Sequence, residues 1–234
     1  MAIRVLRNNI DYVSALCATE IAQQPQSSVT TVSSFLSSVY FPDDTLRRFF
    51  ANARDGAQIA QLLIERKQFV KARILSDTQY RRVELYEADA ISRLVQQGRP
   101  HEQERAFHLL PSEIEDVLNE MLTLISAGDS LSINFTTKVV PLDYCVFSDV
   151  RNSVLIDIRS NYDYQTIQGL HVHSEFDFSA DLRKEAELMQ TDVTTTSNKY
   201  AVCAMISNAL RSWCGTDPDI HAPTLPKMQK SDFT

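Results

Sequence analysis

Glycine is scarce in this chain: 5 residues in 234, at Gly56, Gly98, Gly128, Gly169 and Gly215, with no two close together. A loop that cradles phosphate needs clustered glycines, because the backbone must approach the anion closely. Neither G-x-G-x-x-G nor G-x-x-x-x-G-K-[ST] occurs, and the nucleophile elbow G-x-S-x-G is also missing. These absences argue against a dinucleotide-binding enzyme, a P-loop NTPase and a standard α/β-hydrolase. No run of about 18 apolar residues exists, so no transmembrane helix is predicted. The first nine residues carry charge without a continuous apolar stretch and do not read as a signal peptide. The four cysteines, Cys17, Cys145, Cys203 and Cys214, have spacings of 128, 58 and 11, which suit neither a zinc module nor a redox CxxC pair. Reduced, buried thiols in a cytoplasmic protein are expected.

What is present is ample material for a core. Hydrophobic residues make up 44% of the chain and charged residues 23%, at a net charge of -7. The charge is split. Residues 1–110 hold 14 Lys and Arg against 12 Asp and Glu, whereas residues 111–234 hold 9 against 18. Residues 46–82 alone carry nine basic and three acidic side chains. Such a division implies two surfaces that meet different partners, or each other in an assembly.

The pattern of apolar residues predicts a mixed α/β fold, with helices packed on a sheet and a small helical part in front. Asp11 to Gln24 reads as one helix, and Ser27 to Tyr40 as a second, separated from the first by Pro25. Residues 1–42 are therefore expected to form a helical hairpin, residues 43–215 the α/β domain and residues 216–234 a flexible tail. Ile21 to Leu36 has the length and spacing of a helix-turn-helix core, but Gln26 stands at the turn and the second helix carries no Lys or Arg. A hairpin that packs or pairs is favoured over one that reads DNA.

Further helices are expected around Leu46–Ala53, Ile59–Phe69, Tyr80–Gln97, Ala180–Gln190 and Asn198–Trp213. The sequence Ser112-Glu-Ile-Glu115 after Pro111 reads as a capping box, with Ile114, Val117, Leu118, Met121, Leu122 and Ile125 as the buried stripe. Strands are expected at Val70–Leu75, Leu131–Phe135, Tyr144–Phe147, Val154–Ile158 and Thr166–His173, with a hairpin turn over Ser148–Ser153. In this order the elements resemble one half of phospholipase D-like domains. Those enzymes use a His-x-Lys pair. Here the residue two after each histidine is Gln103, Leu110, His173, Glu175 or Pro223, so the resemblance implies a non-catalytic relative.

Three groups of residues could carry chemistry. His171, His173 and Glu175 alternate along a strand, so two imidazoles and a carboxylate could face one metal ion. The competing expectation is a solvent-facing row on an edge strand, with Leu170 and Val172 turned inward. Arg47, Arg48, Lys71, Arg73, Arg81 and Arg82 could bind an anion or nucleic acid, with Arg54, Arg66 and Lys67 adding charge and Phe69 and Tyr80 stacking on bases. Asp143, Asp149 and Asp163 lie near the hairpin, where acids at strand ends can hold Mg²⁺, and Asp157 sits within an apolar run.

No motif asks for a cofactor. The absence of catalytic motifs favours a non-enzymatic regulatory or assembly protein, acting in a homo-oligomer or larger complex with a protein partner. The alternatives are a nucleic-acid-associated regulator using residues 46–82 and a metal-dependent hydrolase built on His171 and His173. No membrane association is expected.

Overall fold

The computed structural model describes residues 2–24, 27–34, 36–98, 108–140, 142–148, 153–158, 168–173 and 178–214. The elements run β1 (Ala2–Leu6), α1 (Asn9–Ile21), β2 (Ser28–Ser33), a 3₁₀ turn (Ser38–Tyr40), α2 (Asp43–Phe49), α3 (Gly56–Ser76), β3 (Arg81–Glu87) and α4 (Ala90–Gln97). Then come α5 (Pro111–Ser126), β4 (Leu131–Thr136), β5 (Asp143–Ser148), β6 (Ser153–Ile158), β7 (Gln168–His173), α6 (Phe178–Gln190), β8 (Thr195–Thr196) and α7 (Lys199–Cys214). All eight strands join one mixed sheet in the order β1-β7-β6-β5-β2-β3-β4-β8, as the α/β reading requires.

The sheet has two halves. β2, β3 and β4 are parallel, joined by crossovers through α2–α3 and α4–α5. This is the helical route that parallel strands need. β5, β6, β7 and β1 run antiparallel, and β5 meets β2 antiparallel at the junction.

Three expected elements differ. Ser28–Ser33 is a central strand, not part of a helix, so residues 1–42 supply β1 and β2 to the sheet and form neither a helical hairpin nor a helix-turn-helix. Four successive β-branched residues, Val29 to Val32, explain the preference. Residues 81–87 form a strand where a helix was expected, while 70–75 complete the helix α3. The strand at 70–75 that supported the phospholipase D-like order is thus absent. The expected tail, 216–234, lies outside the described residues.

One face of the sheet packs under α1, α3, α5 and α7, through Val29, Cys145, Phe147, Leu155, Tyr86, Phe135 and Ile133. On α5, Ile114, Val117, Leu118, Met121 and Ile125 are buried and Leu122 is half-buried, as its periodicity predicts. The cap is shifted by one turn position: α5 starts at Pro111, and Glu113, not Glu115, accepts the Leu110 N–H at 2.6 Å. On the opposite face, Val32, Leu85, Val146, Val154, Ile156 and Val172 pack with Leu182, Ala186 and Met189 of α6. Gly169 lets α1 close onto β7, because a Cβ there would stand 2.5 Å from the Tyr12 ring.

Candidate functional site

The basic segment does not converge. Arg47, Arg54 and Arg81 are exposed, and Arg48 reaches across to Glu113 and donates to the His108 carbonyl. Arg81 stands beyond the far end of α3 from the other three, and α3 is 21 residues long, about 30 Å. The remaining cations are taken up inside the chain. Lys67 pairs with Asp43, Lys71 with Glu120 at 2.6 Å, and Arg73 with Asp77 at 2.8 Å. Arg73 also lies over the Tyr80 ring at 4.4 Å, so Tyr80 is spent on an arginine and not on a base. Arg82, expected on the surface, has no exposed side chain at all.

Arg82 belongs to a sealed ionic cluster between the sheet and helices α1 and α3. It donates from Nη1 to Glu20 and from Nε to Glu84 at 2.5 Å. Arg66 Nε donates to the other Glu20 oxygen at 2.6 Å. Glu84 also accepts from the Tyr40 and Tyr86 hydroxyls. The 3₁₀ turn is tied in by Arg66 Nη1, which donates to Ser38 Oγ at 3.1 Å. Burial pushes the Glu20 carboxyl up, but Arg66 and Arg82 outweigh it and hold it below the usual range. Burial, then Glu84, raises the Tyr40 and Tyr86 hydroxyls well above theirs, so they remain donors. The four charges pair with one another out of reach of solvent, with Arg82 Nη2 alone left without a hydrogen-bond partner among the described residues, and the cluster braces the fold.

His171 is buried, at 5% exposure, and its Nε2 lies 3.4 Å from Thr19 Oγ1. β7 is an interior strand between β1 and β6, so the expected solvent-facing row on an edge strand is corrected. His173 occupies the next position of the same alternation, opposite Ser153. Glu175 lies outside the described residues. Among the described residues, no three His, Cys, Asp or Glu side chains come together as a metal site.

The sheet's topology points instead to the carboxyl ends of its parallel strands, where open α/β sheets present their functional surface. Here β2, β3 and β4 end at Ser33, Glu87 and Thr136. Ser34 donates from both N and Oγ to Asp143, at 2.6 and 3.2 Å. Arg93 clamps the same edge, donating to Asp89 at 2.8 Å, to Glu87 at 3.2 Å and to the Ser34 carbonyl at 2.8 Å. Glu87 in turn accepts the Val140 N–H at 3.1 Å. Asp143 faces Asp157 across β5 and β6, so two of the acids singled out in the sequence do meet. Asp149 and Asp163 lie outside the described residues.

Beside this polar frame stands exposed apolar surface. Lys138 after β4 and Asp192 before β8 form an ion pair at 2.5 Å. Hydrogen bonds from Lys138 and Thr194 hold the Asp192 carboxyl far below the usual range. The bridge joins two neighbouring loops, and these carry Val139 at 80% and Val193 at 90% exposure. Leu188, at 62%, sits one turn earlier at the end of α6. These are exposed apolar side chains beside a polar network. Ser34 has a carboxylate neighbour, but among the described residues no histidine bonds to it to accept a proton. Arg93, Lys138 and Val193 were not legible as site residues, since each looks like ordinary surface until the strand order places them together.

Among the described residues no helix is long and apolar enough to cross a membrane. No family model matches the chain, and no curated protein matches it. Among solved structures it is similar to TrmBL2, described as an archaeal chromatin protein that shows a novel mode of DNA binding. The likeness has a TM-score of 0.40 at 8% identity and covers 80% of this chain and 52% of that one. The chain therefore spans about half the length of that protein. A likeness this slight identifies neither a fold family nor a function.

Proposed function

We propose that the chain is a non-enzymatic regulatory or assembly protein that works by associating with itself or with another protein. One observation supports this most: Val139, Val193 and Leu188 are exposed beside a carboxyl edge cross-linked by Lys138–Asp192 and Arg93. Desolvating apolar surface drives association at roughly 25 cal/mol per Å², and a preformed edge avoids the entropic cost of ordering loops. Arg66, Lys67, Lys71, Arg73 and Arg82 are paired within the chain and the exposed Arg47, Arg54 and Arg81 lie apart, which favours this reading over nucleic-acid binding. Light scattering on the purified protein and on a Val139→Asp/Val193→Asp variant tests the reading. The native protein is expected as an assembly heavier than the 26.5 kDa chain, reduced to the single chain in the variant. A monomer in both, with no co-purifying partner, contradicts it.

A further inference from the structure

A cleft of about 310 Å³ opens between α3 and α5. Its floor is the 3₁₀ turn and the residues after it, Val39, Tyr40, Phe41 and Pro42. One wall carries Lys67 and Lys71, one turn apart on α3. The other carries Asp116 and Glu120, one turn apart on α5. Residues four apart share a helix face, so a cationic row stands opposite an anionic row, bridged at Lys71–Glu120, above a floor whose Val39, Tyr40 and Phe41 are buried.

The floor is stiff, because Tyr40 and Ser38 are bonded into the buried cluster through Glu84 and Arg66. The walls keep unused capacity. A lysine ammonium has three N–H donors. Lys71 uses its charge on Glu120 alone, and Lys67 is taken by Asp43 and the Phe41 carbonyl. Asp116 has no ion pair among the described residues. A lone anion would meet the carboxylate wall and a lone cation the lysine wall. A ligand with both charges satisfies both.

We propose that this cleft binds a small zwitterion, of the kind a free α-amino acid presents. Its carboxylate lies against Lys71 and its ammonium against Asp116. The volume is at the small end of ligand sites, which suits a single such molecule. This site is separate from the association surface, so either can fail without the other.

The test is amide NMR on the full chain, titrated with L-leucine and other free amino acids, L-leucinamide and isocaproate. Leucinamide lacks the carboxylate and isocaproate the ammonium. Saturable shifts at Tyr40, Lys67, Lys71 and Asp116 with at least one amino acid are expected, weakened about tenfold or more when either charge is removed. Lys71→Met and Asp116→Asn should weaken binding to a similar extent while keeping the dispersed spectrum of a folded protein. No saturable shift in the cleft with any amino acid overturns the proposal. So does equal binding of both singly charged analogues, or unchanged affinity in both variants.

Discussion

Arg82 and Glu20 lie 62 residues apart in the chain, yet Arg82 Nη1 donates to Glu20 Oε1 with side chains 0% and 1% exposed. The pair links a sheet strand to the first helix, and Arg66 and Glu84 complete it. Removing one member of a buried ion pair leaves the other charged and desolvated, which costs about 3–5 kcal/mol. Arg82→Met is expected to lose that much in urea unfolding. Adding Glu84→Gln should cost less than the sum of the two single changes, because Glu84 pairs with Arg82 alone while Glu20 keeps Arg66, so the charge that Arg82→Met strands is gone. Small, strictly additive losses would mean the cluster contributes little.

Acid should weaken the fold through the same residue. The folded Glu20 carboxyl lies below the ordinary value of 4.5. A group depressed in the folded state adds stability above its unfolded value, and that stability is lost as pH falls through the folded one. Unfolding free energy should therefore decline as pH drops below 4.5, and the decline should be shallower in Glu20→Gln. Equal slopes in both proteins would exclude Glu20 as a source.

The thiols give an independent check on burial. Burial pushes Cys17 up to about 12 and Cys145 up to about 11. Thiolate is the reactive form, so both should resist a disulfide reagent at pH about 8 in the native protein and react once it unfolds. Cys203, which is only partly buried, should be modified ahead of them. Rapid native labelling at Cys17 or Cys145 would show that the α1 side of the sheet is open.

Helix α5 was legible from its apolar spacing alone. Leu118 has no exposed surface, and Leu118→Ala should cost about 2–5 kcal/mol, as other core truncations do. A loss under about half a kcal/mol, typical of surface sites, would mean the helix is solvated.

The same spacing failed where charges occupy core positions. On α3 the buried line runs Ile59, Leu63, Arg66, Val70, Arg73 and Ile74. The two arginines interrupt the apolar stripe, so the helix read as a short helix followed by a strand. On β3, Arg82 and Glu84 occupy inward positions, which hid the alternation of a strand. Both errors, and the overestimate of surface charge at residues 46–82, come from the buried ionic cluster. Its partners are distant in sequence, so nothing local reveals that these charges are compensated. The proposed association surface was hidden for a related reason, since residues 138–140 come beside 192–194 only through the strand order.

Amide hydrogen exchange on the assembled protein, compared with the Val139→Asp/Val193→Asp variant, tests the association surface most directly. Slower exchange in the assembly at residues 137–140 and 192–194 is expected, with residues 46–54 and 81 unchanged. Protection confined to the arginine-bearing segments, or no difference between the two proteins, would contradict association through the carboxyl edge.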